Sequence, residues 1–466
     1  MIRPDRSTSD ISTGPTSTGP AVVDRHRFIR LGAAIILAAT LSACGATDFF
    51  GEDDEVPLPG NRIPILLIEE GLTADEGVAD IPVILPPPRI NADWPQPGGE
   101  ADKSNGHLEA ADNLREVWSR SIGSGGDDEQ GLVAQPVIAD GRLFALDSDA
   151  TLTALDAASG SRLWSLDLRP EDEDDAIFPG GVTTGNGRVF VTTGYGEAMA
   201  LNPETGAELW RVSLPGPARG APGYGNGRLF AVTIENRMFA LSAETGERLW
   251  DHQGISEVTS LLGGAAPATT GPIVLVPYTS GELFALRAEN GRVQWLESLS
   301  NLRVAQSVAR LADIRGNPVI DENRAFAISN GGLMAAIDLA TGARIWERPI
   351  GGISTPWVAG EFVFVMADGA QLVALTRRDG RARWVTQLPP FEDMEDQDDP
   401  IQYVGPVLVG DRLLVGDSLG QAYAVSPYTG DILGRIDVGD DIFVSPIVAE
   451  GTIYFLTNDG NIHAWR

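Results

Sequence analysis

Short apolar runs broken by polar turns fill the chain from about residue 112 to its end. In one set, Gly227-Arg228-Leu229-Phe230-Ala231-Val232 predicts a strand, and Met238-Phe239-Ala240-Leu241 predicts the next, across a polar turn at Glu235-Asn236. Arg248-Leu249-Trp250 then opens an outer strand after a turn over 243–247, where Gly246 supplies the positive φ such a turn needs. The set recurs along the chain. Trp164, Trp210, Trp250, Trp295, Trp346 and Trp384 each stand ten residues after an alanine that opens a small-apolar pair, and four residues after a glycine. A seventh copy, Ala424-Val425 with Gly430, has Gly434 in the tryptophan's place, and an eighth begins at Ala464-Trp465 and runs off the chain. Repeats of about 40–50 residues predict propeller blades, because one small sheet cannot bury both faces and must stack on its neighbours.

Counting strands predicts how the ring closes. The eighth copy lacks an outer strand, and Leu114-Arg115-Glu116-Val117-Trp118 offers one upstream, with Trp118 lying 46 residues before Trp164, itself 46 before Trp210. The expected fold is therefore all-β: an eight-bladed β-propeller of four-stranded antiparallel blades over residues 111–466, closed by an N-terminal outer strand. Such a splice leaves no open ring edge.

Charge narrows the partners. With 34 basic and 65 acidic residues the formal charge is −31, and residues 1–43 carry five Arg against three Asp, so the remainder is more acidic still. That excludes nucleic acid as a main partner and argues against a face adhering to anionic lipid.

The single cysteine, Cys44, has no intramolecular disulfide partner and belongs to no CxxC metal motif. It follows a basic cluster, Arg25-His26-Arg27-Phe28-Ile29-Arg30, and an apolar run from Leu31 to Ala43 that is too short to span a bilayer. The tetrad Leu41-Ser42-Ala43-Cys44 resembles a bacterial lipobox, which implies a signal peptide over 1–43, cleavage before Cys44 and lipidation there. Gly45 rather than Asp follows it, which by the enteric sorting rule implies the outer membrane, with the protein on the periplasmic face. Residues 44–110 are acidic and proline-rich, with Pro86-Pro87-Pro88 at their centre. They are expected to form a tether; the apolar patches Ile63 to Ile68 and Ile81 to Leu85 leave open a second reading, docking on the ring's flank or on a partner.

A catalytic site does not emerge. Gly416-Asp417-Ser418-Leu419-Gly420 fits the GxSxG pattern of serine hydrolases, but that elbow needs a strand-to-helix turn, and the repeat places these residues in a hairpin. His107, His252 and His463 are far apart in sequence, and the acidic runs 171–175 and 392–396 lack the spaced ligands of a calcium loop. No catalytic residue, metal or cofactor is expected.

The Ala-Leu…Gly…Trp unit resembles the pyrroloquinoline-quinone (PQQ)-type propeller repeat, shared by quinoprotein dehydrogenases and the BamB family of outer-membrane-protein assembly lipoproteins. The former stack their quinone on an adjacent-cysteine disulfide, which a chain with one cysteine does not have. The lipobox and bare ring are similar to the BamB family over nearly all of 44–466. That resemblance implies a non-catalytic scaffold that docks on the periplasmic domains of BamA, within the rest of the barrel assembly complex. It places the contact in two loops. Ser260-Leu261-Leu262-Gly263-Gly264-Ala265-Ala266-Pro267 resembles the first, with Leu261 on a family contact residue and Leu262 where enteric members carry Arg. Arg310-Leu311-Ala312-Asp313 resembles the second, with Asp313 on a contact carboxylate and Arg315 on a second acidic position. One cation lost and one gained imply a rewired set of ion pairs. Asn91-Ala92-Asp93-Trp94-Pro95-Gln96-Pro97-Gly98-Gly99 resembles the entry segment of alphaproteobacterial members. A PQQ-dependent enzyme and a periplasmic ligand-binding or sensory propeller are the alternative readings.

Overall fold

The computed structural model describes residues 72–126, 131–173, 180–257, 259, 261, 263–300 and 311–466. The chain divides into two units, 1–68 and 69–466, and the described residues fall in the second. Eight four-stranded antiparallel sheets follow one another in sequence. Blade 1 covers 137–167, blade 2 181–213, blade 3 223–253, blade 4 268–298, blade 5 319–348, blade 6 357–387 and blade 7 403–437. Blade 8 takes three strands from 447–465, and its outer strand is Glu116–Ser121, as the spacing of Trp118 predicts. Blade 3 realises the pattern read from its residues, with strands Gly223–Gly225, Arg228–Val232, Arg237–Ser242 and Arg248–Gln253. Between blades 6 and 7 a small hairpin, Phe391–Asp393 with Asp398–Pro400, carries the second acidic run into solvent.

The ten-residue spacing is a cross-strand pair. Ala154 lies opposite Trp164, Ala200 opposite Trp210, Ala240 opposite Trp250, and Ala464 opposite Trp118, with a register shift just after each of the first three alanines. A small residue facing a large one leaves room for the indole to lean onto the next blade. There the ring lies against the turn glycine: a Cβ on Gly246 would come within 2.7 Å of Trp210, and one on Gly291 within 2.5 Å of Trp250. Trp164, Trp210, Trp250, Trp295, Trp346 and Trp384 each donate their indole N–H to a carbonyl of the following blade, at 2.8–3.2 Å. Trp118 packs on Gly160 in the same way, but the matching carbonyl, that of Ala157, accepts from the Tyr454 hydroxyl instead. Gly434 lies opposite Ala424 and faces open space, because blade 8 has no turn for a tryptophan to meet. The apolar core accordingly sits between neighbouring sheets, as in the cluster of Phe144, Leu152 and Ala154 with Val189 and Met199.

Residues 72–110 were expected in a tether, and the structure packs them on the ring. A strap runs along blade 6, with Asp75 paired to Arg381 at 2.6 Å, Arg383 donating to the Ile81 carbonyl, and Val83 buried. Within the second apolar patch Ile81 and Ile84 stay exposed, while the first patch lies outside the described residues. Residues 91–108 then cross one end of the central channel, and they bond the innermost strand region of every blade in order. Asn91 meets blade 8 through the Glu450 N–H, Trp94 pairs with Ile138 of blade 1, and the Pro95 carbonyl accepts from Thr184 of blade 2. Gln96 exchanges two bonds with Tyr224 of blade 3. The carbonyls of Ala101 and Asp102 accept from Thr269 and Ile320 of blades 4 and 5. The Gly106 carbonyl accepts from the Trp357 indole of blade 6, and Leu108 bonds Leu408 and Gly410 of blade 7. Trp94 is stacked on Trp357 with ring centroids 6.4 Å apart and is 1% exposed. This stretch is a plug. Its sequence is polar and proline-broken because its bonds are made one blade at a time, without strand periodicity.

Candidate functional site

The plug closes one mouth of the channel and leaves the other as a blind funnel of about 110 Å³, with Pro97 among its walls. Each blade supplies wall residues from the loop that leads into its innermost strand or from that strand's start, from Val133 at blade 1 round to Phe443 at blade 8. The loops singled out by resemblance to the BamB family lie at this mouth.

Arg219, in the loop before blade 3, joins them. One guanidinium nitrogen approaches the Leu261 carbonyl at 2.6 Å, the Gly263 carbonyl at 2.8 Å and Asp313 Oδ2 at 3.0 Å. The Leu261 N–H donates to the same carboxylate oxygen at 3.1 Å. Three interblade loops are thus clasped around one ion pair, whose side chains are 8% and 1% exposed. Asp313 is therefore inside the protein, and its other oxygen, Oδ1, has no hydrogen-bond partner. A direct contact through this carboxylate, expected from the resemblance, is not available to an outside partner in this arrangement; its geometry instead orients Leu261. Leu261 is half-buried at the surface of the loop, while Leu262 lies outside the described residues, as does Cys44. Arg315 lines the funnel, with its guanidinium beside Gly263. Burial pushes that group below the usual arginine range, opposed by the nearby charge of Asp313.

The remaining candidates are structural. The GxSxG stretch is a hairpin turn in which Asp417 Oδ1 accepts the N–H groups of Leu419 and Gln421. Burial pushes the Asp417 carboxyl up against those bonds. His107 binds the Pro86 carbonyl and the Asp411 N–H, His252 the Tyr278 hydroxyl, and His463 the Glu116 carboxylate. Among the described residues no three metal-ligating side chains gather. Sequence reasoning missed Arg219, although a lone Arg inside the Gly-Ala-Pro stretch 215–223 was a usable signal. It also missed Lys103, buried in the plug with its ammonium 3.3 Å from Gln96 Oε1.

Comparison with known proteins places this geometry. A family model described as outer membrane protein assembly factor BamB matches residues 106–178 and 173–386. The outer membrane protein assembly factor BamB of Xanthomonas campestris pv. campestris is 33% identical over 365 residues, covering 77% of this chain and 87% of the relative. Among solved structures, BamB from Moraxella catarrhalis aligns with a TM-score of 0.61 at 20% identity, over 76% of this chain and 98% of the other. Quinohemoprotein alcohol dehydrogenase from Comamonas testosteroni aligns with a TM-score of 0.62 at 15% identity, over 80% of each chain. At these identities the structural likenesses speak for the propeller fold alone.

Proposed function

The chain belongs to the BamB family of outer membrane protein assembly factors, and from that premise we propose that it is a non-enzymatic scaffold of the barrel assembly machinery, docking on the periplasmic domains of BamA. The observation that carries the reading is the clasp of three loops at the open mouth. It holds Leu261 at the surface through a buried Arg219–Asp313 pair. In this reading Leu261, Leu262 and Arg315 meet BamA, and Asp313 acts from within by holding the first loop. The mature protein starts at Cys44, whose lipid fixes it to the periplasmic face of the outer membrane. Residues from 44 to the strap form the tether, and the ring begins at 111. The propeller fold is shared with quinoproteins, but one cysteine leaves no adjacent-cysteine ring for a stacked quinone.

The test is a detergent pull-down from native envelopes with a C-terminal tag, read by mass spectrometry, with a photo-crosslinking residue at Leu261. Recovery of BamA, with crosslinks from position 261 and none from a plug-face position such as Asn226, is the expected result. Cys44→Ser should move the protein from the membrane to the soluble fraction. Recovery of the chain alone, or BamA crosslinks only from the plug face, overturns the docking assignment.

A further inference from the structure

The funnel has an electrostatic character opposite to that of the chain. Of the described residues lining it, two are cationic, Arg219 and Arg315, and none is acidic, although the protein carries 65 acidic and 34 basic residues. Arg219 is already neutralised by Asp313. Arg315 feels the same Asp313 charge only at a distance, and burial weighs against its charged form. A cation that is half-buried at a cavity wall and only partly offset is stabilised by an anion that enters the cavity. Much of the wall itself is backbone. A Cβ on Gly220 would lie 2.4 Å from the Gly264 carbonyl oxygen, and one on Gly316 would lie 2.4 Å from that of Ser354, so these loops touch too closely for side chains. Asn317, also in the wall, accepts the Ala266 N–H through Oδ1, which leaves its Nδ2 as a donor on the side of Gly98 of the plug. Val133, Ile353 and Phe443 supply apolar surface beside these groups. A mostly neutral concavity with a few aimed donors is the usual form of a small-ligand site.

We infer that the funnel is a binding site for a carboxylate, gripped by Arg315 with Asn317 as a second donor. The planar guanidinium fork matches a carboxylate in two parallel bonds. The volume of about 110 Å³ is several times what one water requires, about 10–15 Å³. Because the plug closes the far end, a polypeptide cannot thread the ring. The ligand is a small free carboxylate or the carboxylate at the end of a chain. The long-range field of an acidic protein is screened within about 8–10 Å at ordinary salt, so it does not forbid such a ligand.

The experiment uses the full chain in detergent and no partner protein, so it stands or falls separately from docking on BamA. Fluorescence anisotropy follows a dye-labelled hexapeptide with a free C-terminal carboxylate, the same peptide amidated, and competition by sodium acetate against sodium chloride at equal ionic strength. Binding of the free acid at least tenfold tighter than the amide identifies a chain end. Acetate saturation of the site, followed by chloride-matched thermal stabilisation and without peptide binding, identifies a small molecule. Arg315→Gln should weaken binding tenfold or more, and Arg315→Lys should keep part of it. Val133→Phe, which fills the funnel without changing charge, should also abolish binding and serves if the arginine variants fold poorly. Equal binding of acid and amide, no response of the native chain to either probe, or native-like binding by a well-folded Arg315→Gln overturns the assignment.

Discussion

Arg219 and Lys103 are both cations taken out of water, and their surroundings differ. Arg219 is matched by a carboxylate and two carbonyls, so removing it strands Asp313. Arg219→Ala is expected to lower stability by about 3–5 kcal/mol in guanidinium unfolding, and replacing both partners by leucine should recover most of that loss. Lys103 has one neutral acceptor, Gln96, and burial holds its pKa at about 7 against an ordinary 10.5. Between those two pH values the unfolded chain binds more protons than the folded one, so this group makes stability rise with pH across the window and adds no slope below it. Lys103→Met should therefore be more stable than the native chain, by a gap widest at pH 6–7 and closing toward pH 10.5. Guanidinium midpoints for the pair across this range check it; a gap independent of pH would show that Lys103 is not neutralised. Arg219 could be singled out in its Gly-Ala-Pro stretch, but the burial and partner of neither cation were legible from sequence. Arg219 and Asp313 are 94 residues apart, and a lysine in a polar stretch reads as solvated until the fold buries it.

At the scale of elements, the blades were legible and the plug was not, for one physical reason. A blade announces itself because its apolar and turn positions repeat with the strand, and Ala240 opposite Trp250 is a local consequence of one hairpin. The plug is bonded mostly through backbone to residues as far away as Glu450, so no local pattern encodes it. Its prolines argued against a regular strand but said nothing of the turns at Gly98, Gly99 and Lys103 or of where the segment lies. Deleting 91–108 should open the channel from end to end and remove a bond from every blade. A melting temperature lowered by several degrees, with faster hydrogen exchange in the innermost strands, is the expected outcome. An unchanged melt would reduce the plug to a surface appendage. The two expected contact loops were found by family likeness, and only the fold revealed that one of their carboxylates is internal.

For the whole molecule, closure is uneven. Seven interfaces carry a tryptophan on the next blade's turn glycine, and the interface from blade 7 to blade 8 has Gly434 facing open space. Trp384→Ala should cost about 3–5 kcal/mol, as large core truncations do, whereas Gly434→Trp should change stability by no more than about 1 kcal/mol, since the added ring meets no glycine. Matched guanidinium titrations decide this, and a large gain from Gly434→Trp would contradict the account of the seam. The order of contacts along the plug has a further consequence during biosynthesis. Asn91, made before any blade, bonds the 448–450 stretch in the innermost strand region of blade 8. The plug cannot complete its contacts until blade 8 has formed beside the other seven. Seating of the plug is thereby coupled to closure of the ring, as a single late step.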